Sequence, residues 1–238
     1  MSDLPQFDWP TLRDNKTREI ERLNGIYQRL LEKAGVNLIR GSAMLTGPNE
    51  IQVQDQFYSA RHILIATGGK PFIPDFPGSD LVRNSDDLFY LESFPKSVLV
   101  VGGGYIAVEF AGILNGLGAE VELVYRRDRL LRGFDKDVRE FIGTQVSKKG
   151  VRLRFHDQPA SVQRHQESGY QVIYESGHQA RFDEIFYATG RSPNVGGLGL
   201  EASGIELTEQ GAIKVNNQFQ TSQPSVYALG DVIDRVPL

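Results

Sequence analysis

The spacing of apolar positions along the chain changes from one segment to the next, and each change predicts a different kind of element. Early in the chain Leu12, Leu23, Tyr27, Leu30 and Leu31 form an incomplete stripe among charged residues. With Asp8 as N-cap, Pro10 near the first helical position and Gly35 as a stop, this predicts a helix running to Ala34. Short strands are expected at Val36–Arg40, Glu50–Val53 and Phe57–Ser59, with Gly47-Pro48-Asn49 as a turn. A more deeply buried strand is expected at His62–Ala66, ending in Thr67-Gly68-Gly69. Three prolines between Pro71 and Pro77 then argue against regular structure, so residues 70–96 are expected to be a linker.

From Ser97 the pattern becomes strand, helix, strand. Ser97–Val101 is a continuous apolar run, the type of a strand buried on both faces. Glycines 102–104 make a turn, and a helix is expected from Tyr105 to Leu117 with Ile106, Phe110, Ile113, Leu114 and Leu117 on one face. Gly118 ends it, and Glu120–Tyr125 is the second parallel strand. A second helix over Lys136–Lys149 leads to a strand at Val151–Phe155. Ala160–Arg164, Tyr170–Tyr174 and Gln179–Phe182 follow, joined by short polar turns. Their alternation predicts a small antiparallel meander against the parallel sheet. Further strands are expected at Glu184–Ala188 and Ser225–Leu229. The segment "strand-Ala-Thr-Gly" occurs twice, at 66–68 and 188–190, which hints at two related nucleotide domains. The fold class is therefore α/β: a parallel sheet with helices and a small antiparallel meander, three layers of the ββα kind.

Composition narrows the function more than the fold. A net charge of -4 argues against a nucleic-acid surface, and no run approaches the roughly 20 apolar residues of a membrane span. The start has neither the basic nor the apolar region of a signal peptide, so the cytoplasm is the expected location. There is no cysteine, hence no thiolate nucleophile, no disulfide and no Cys-ligated metal in this chain. His62, His156, His165 and His178 are scattered, and no metal site is expected.

Two constellations carry candidate chemistry. Gly102-x-Gly104-x-x-Ala107 lies between a strand and a helix. Its glycines permit a tight turn and close approach of a pyrophosphate, and Ala107 lets the helix pack closely. The helix N-terminus would meet the phosphates with unpaired N–H groups. At the end of the second strand an NAD site wants an acid, but Arg126 stands there, opening the run Arg126-Arg127-Asp128-Arg129-Leu130-Leu131-Arg132. Guanidinium forks suit the 2′-phosphate of NADP. The plainer alternative is a solvated loop with Asp128 pairing one arginine. Glu109 has either a functional role or only a helix-dipole one. Asp231, after an apolar strand, is either a ligand for a ribose or ribityl hydroxyl or an N-cap.

The segment GGGYIAVEFAGILNGLGAEVELVYRRDRLLRGFD (102–135) resembles the NADPH motif of the glutathione reductases, a class of pyridine nucleotide-disulfide oxidoreductase. HILIATGG (62–69), YATGRSPN (187–194) and VYALGDV (226–232) resemble that family's other signatures, in the same order. The resemblance, of bacterial type, implies a Rossmann-like FAD/NAD(P)-binding fold and a homodimeric flavoprotein. In it NADPH reduces FAD, FAD reduces a cysteine pair, and the pair reduces glutathione disulfide. It implies that Gly102, Gly104, Ile106 and Ala107 hold NADP, with Tyr105 as a lid ring and Glu109 paired to a lysine outside this chain. Arg126 and Arg132 would grip the 2′-phosphate, Gly190 and Arg191 would serve the nicotinamide side, and Thr67, Gly68 and Asp231 would serve FAD. Residues 1–69 would end an FAD domain and residues 97–196 form the NADPH domain. Residues 197–238 would return to the FAD domain. The redox cysteines and the interface His and Glu would lie outside the chain, leaving it without catalytic residues of its own. A relative of trypanothione reductase, another NADPH-dependent flavoprotein reductase, and a non-catalytic nucleotide-binding module are the alternatives.

Overall fold

The computed structural model describes residues 7–233. In chain order, α1 (Trp9–Lys33) precedes β1 (Ala43–Gly47), β2 (Glu50–Val53), β3 (Gln56–Ser59), β4 (Ile63–Ile65) and β5 (Gly69–Pro71). A 3-10 turn at Ser79–Leu81 and α2 (Ser85–Leu88) lead to β6 (Ser97–Val101), α3 (Tyr105–Gly116), β7 (Glu120–Tyr125) and α4 (Lys136–Lys148). The strands β8 (Arg152–Phe155), β9 (Pro159–Arg164), β10 (Tyr170–Tyr174), β11 (Gln179–Phe182) and β12 (Glu184–Tyr187) follow. Last come β13 (Arg191–Pro193), β14 (Val226–Ala228) and a 3-10 turn at Gly230–Ile233. The chain divides into two compact units. One contains the chain up to Leu23 together with Pro71–Gly190; the other contains Asn24–Lys70 and the chain from Arg191 onward.

In the first unit a parallel sheet runs in the order β12-β6-β7-β8. Its side chains alternate between two cores, as the pleat requires. Val98 and Val100 of β6, Val121 and Leu123 of β7, and Phe186 of β12 face the helices. Leu99, Val101, Val124, Ile185 and Tyr187 face the antiparallel meander β11-β10-β9, where Val162, Val172, Tyr174 and Phe182 meet them. This is the expected α/β arrangement of helix, parallel sheet and meander.

The helical face is the expected one at four of five positions: Phe110 and Leu114 are buried, and Ile106 and Leu117 pack against the same core. Ile113 of α3 is 49% exposed, and the buried stripe is Ala107, Phe110, Ala111 and Leu114. Ala107 and Ala111 join the buried stripe in place of Ile113, because small side chains let α3 lie close to the sheet. Residues 36–40 form no strand, and Val36, Leu38 and Ile39 are exposed. A strand needs a neighbouring strand to bond, and among the described residues no strand pairs with this segment. The end of α1 is as expected. Gly35 N–H donates to the Glu32 carbonyl and Val36 N–H to that of Leu31, a glycine-terminated helix stop.

Two phenols in the meander core have a consequence for stability. Burial, reinforced by the Glu122 carboxylate that accepts the Tyr174 hydroxyl at 2.8 Å, pushes Tyr174 well above the ordinary phenol range. Burial alone does the same to Tyr187, which stacks on Phe76 at a centroid distance of 5.2 Å. Above about pH 10 the unfolded chain releases both protons while the folded chain keeps them. Stability is therefore undiminished below that pH and falls as pH rises beyond it, by about 1.4 kcal/mol per unit for each phenol. Urea unfolding at pH 9, 10 and 11 should show the loss. Phenolate absorbance should stay short of nine tyrosines until unfolding. Full ionisation in a folded sample would refute the assignment.

The second unit holds the antiparallel sheet β1-β2-β3 and the parallel pair β4-β14. Leu45, Ile65, Ile213, Val226, Ala228 and Val232 form its core.

Candidate functional site

The carboxyl ends of β6, β7 and β12 converge on the glycine turn in the first unit. Gly102 N–H donates to Val124 O at 3.0 Å, and Ala188 N–H donates to Val101 O at 2.8 Å. Gly102 has φ 144° and lies so close to the end of β12 that a Cβ there would stand 2.3 Å from the Ala188 carbonyl oxygen. Ala107, fully buried, packs just beyond it. Gly104 is the N-cap of α3 and provides no side-chain cap; a Cβ on it would enter open space. The N-terminus of this twelve-residue helix thus starts at a glycine whose Cβ would meet nothing within 4 Å. That open space at a helix N-terminus is chemically suited to a pyrophosphate.

The middle glycine also matters, although the Gly-x-Gly pattern leaves it free. A Cβ on Gly103 would overlap the Tyr125 ring at 2.5 Å, so the ring lies flat against the turn. Tyr125 closes β7 and is half-buried. An aromatic at the end of the second strand, beside three consecutive glycines, was the signal available in the sequence.

The arginine run folds back toward the same turn. Leu131 N–H donates to Gly103 O at 2.6 Å, and Leu130 and Leu131 are buried in the helical core. Arg129 lies 3.3 Å from Glu140 and 3.8 Å from Asp128. Asp128 also stands 4.0 Å from Arg139. The solvated-loop reading therefore holds for Arg129, which pairs with carboxylates. Arg126, Arg127 and Arg132 are exposed and have no ion pair among the described residues. No acid closes β7 where a ribose diol would need one.

Other expected residues have varied surroundings. Tyr105 is 44% exposed, Ile106 is half-buried and Glu109 is exposed on α3. Gly190 ends the first unit, its carbonyl accepting the Phe72 N–H at 3.0 Å. The remaining four belong to the second unit. There Thr67 Oγ1 donates to Asn194 O at 2.8 Å, and Asn194 N–H donates to Gly68 O at 2.9 Å. Arg191 Nε stands 3.7 Å from Asp231, and its guanidinium donates to the Gly69 carbonyl. Asp231 lies within the closing 3-10 turn with its carboxylate partly buried, and Thr67 is exposed. These groups can bond the hydroxyls of a polyol chain.

A βαβ unit with an open glycine turn, followed after its second strand by arginines without ion pairs among the described residues, is the arrangement used by dinucleotide-binding α/β folds. Residues 3–238 match the pyridine nucleotide-disulphide oxidoreductase family, and the chain belongs to it. Among curated relatives it is 44% identical over 230 residues to a glutathione reductase of Burkholderia cepacia, covering 97% of this chain and 51% of that protein. It is 41% identical over 234 residues to the chloroplastic/mitochondrial glutathione reductase of Pisum sativum, covering 98% and 42%. Among solved structures it resembles RclA, the HOCl-induced flavoprotein disulfide reductase of Escherichia coli, with a TM-score of 0.91 and 26% identity. That match covers 98% of this chain and 54% of that one. The chain spans about half the length of the relatives it matches. Among the described residues no helix is long and apolar enough to cross a membrane.

Proposed function

We propose that this chain is the NADPH-binding portion of a flavin-dependent disulfide reductase whose whole form reduces glutathione disulfide. The observation that carries the nucleotide assignment is the pair Arg126 and Arg132. Both are exposed and free of ion pairs among the described residues, on a segment bonded to the glycine turn. The reading of the substrate rests on the two glutathione reductases that the chain resembles.

Bound NADPH would supply a hydride, and FAD would accept it. In this reading Gly102 and Gly104 admit the pyrophosphate to the α3 N-terminus, and Ala107 keeps the helix close enough to receive it. Arg126 and Arg132 hold the 2′-phosphate, while Tyr105, Ile106, Glu109 and Gly190 border the same nucleotide. Thr67, Gly68 and Asp231 bond FAD, with Arg191 orienting Asp231. The residues before 70 and after 196 belong to a flavin domain, and 97–196 form the NADPH domain. The chain has no cysteine, so it passes no electrons to a disulfide alone and acts in isolation as a nucleotide-binding module. The whole protein is read as a cytoplasmic homodimer.

Calorimetric titration with NADPH and NADH tests the assignment. Arg126→Ala should weaken NADPH binding about tenfold and leave NADH nearly unchanged, since only NADPH offers the phosphate. Removing Arg132 as well should come close to erasing the preference, and the preference should shrink as salt rises. Arg127→Ala and Arg129→Ala are controls. Equal losses for both nucleotides would assign the arginines to the fold instead.

A further inference from the structure

The arginines that face solvent are useful only if their backbone is held still, and the loop that carries them has little regular structure of its own. Between the end of β7 and the start of α4 the chain makes no strand or helix. Its carbonyls at Arg129 and Leu130 nevertheless have partners, both supplied by one side chain. Arg139 Nε donates to Leu130 O at 2.7 Å and Arg139 Nη2 donates to Arg129 O at 3.0 Å. Its side chain is only 18% exposed. Arg139 is itself placed by the start of α4, where its N–H donates to the Asp135 carbonyl and the Asp135 carboxylate caps the helix by accepting Asp137 N–H.

The grip continues on the other side of the loop. The next residue, Leu131, has φ 53° and donates its N–H to the Gly103 carbonyl. A non-glycine residue in that region persists only where its surroundings hold it there. Leu131 is anchored by its buried side chain, by the Gly103 bond, and by the two Arg139 bonds to the residues just before it. The guanidinium fork therefore fixes the distance between the pyrophosphate turn and the arginine that follows, Arg132.

We infer that Arg139 is a positioning residue for NADPH selectivity: it touches no nucleotide but clamps the Arg126–Arg132 segment to the glycine turn. The inference rests on the proposed NADPH site. It depends on the fork, because two successive carbonyls need two donors in one plane, which an ammonium on a flexible stem does not supply in that geometry. The alternative is that Arg139 merely adds positive charge near the phosphate, and lysine would serve that equally well.

The test is calorimetric titration of the chain with NADPH and with NADH for Arg139→Met and Arg139→Lys, beside Arg126→Ala. Both Arg139 variants should lose about tenfold of the NADPH-over-NADH preference while NADH affinity is kept, because a displaced loop costs only the phosphate contacts. Amide exchange at Leu131 should be faster in both. NADH binding serves as the check that the turn and the fold are intact. Should the methionine variant not fold, the lysine variant makes the same comparison. A preference kept within about threefold in Arg139→Lys would overturn the clamp in favour of charge. If Arg126→Ala also leaves NADPH binding unchanged, the NADPH assignment itself has failed. If Arg126→Ala loses the preference and the Arg139 variants do not, only the clamp has.

Discussion

Gly102→Ala should unfold the first unit more readily than any other single methyl group added at the site, and should abolish the proposed binding of NADPH and NADH alike. Two costs coincide at this position. The backbone has φ 144°, a region that side chains other than hydrogen rarely adopt. The new Cβ would also stand 2.3 Å from the Ala188 carbonyl oxygen and 2.8 Å from its carbon. That carbonyl belongs to backbone fixed by the Ala188-to-Val101 bond, so neither partner can move without parting β12 from β6. A loss of about 3 kcal/mol or more is expected in urea unfolding. Gly104→Ala should behave oppositely. Its φ of -82° suits any residue and its Cβ would meet nothing within 4 Å, so stability should stay within about 0.5 kcal/mol. The added methyl would occupy the place read as the pyrophosphate cradle, and both nucleotides should weaken about tenfold or more. Unchanged binding in Gly104→Ala would move the pyrophosphate away from the α3 N-terminus. Unchanged stability in Gly102→Ala would mean that the turn is not held against β12.

The parts of this fold that were legible in the sequence are those whose signal is local. The run Ser97–Val101, the glycines after it and the apolar spacing of α3 all lie within twenty residues, and β6, α3 and β7 appear where they predict. The meander was legible because each strand alternates and each turn is polar; β10 and β11 match to the residue. α2 was not, because four residues are too short to show a period. Its only signal was the capping pair Asn84 and Asp87. The strand expected at Val36–Arg40 has the right side chains, but pairing depends on a neighbour and not on the segment itself. Within the candidate site, the glycines and Arg126 could be picked out by position in a βαβ unit. Arg139 could not, since nothing in its own sequence context says that its guanidinium reaches carbonyls nine and ten residues earlier. Arg191 was assigned by its neighbours in the motif, whereas its bonds to Asp231 and Gly69 link segments far apart in sequence.

The other large effect should come from Glu122, which no nucleotide is proposed to touch. It lies on the meander side of β7, where Val124 is its apolar neighbour, and is 6% exposed. A carboxylate there is tolerable only because its oxygens are engaged. Arg154 Nε donates to it at 2.8 Å, Tyr174 Oη donates at 2.8 Å, and Arg152 approaches at 3.7 Å. The Arg154 guanidinium also lies 4.7 Å from the centre of the Tyr174 ring and 3.7 Å from Asp157. Glu122 thus joins β7, β8 and β10 through side chains, where the sheet and the meander share no ladder. Glu122→Ala leaves a buried hydroxyl without its acceptor and a guanidinium short of its closest carboxylate, and should cost about 3 kcal/mol or more. Glu122→Gln keeps one oxygen acceptor and should cost less, about 1–2 kcal/mol. Tyr174→Phe removes a donor while Arg154 still serves the carboxylate, so about 1 kcal/mol is expected. Because Glu122 and Tyr174 share one bond, the double variant Glu122→Ala, Tyr174→Phe should cost less than the two single losses added together. Urea unfolding of the four variants measures this order. NADPH affinity should be unaltered in each variant that folds, which separates this network from the arginines four and more residues further along the chain. If Glu122→Ala costs less than Tyr174→Phe, the network does not hold the meander, and apolar packing of Val162, Val172 and Phe182 on the sheet must do so alone.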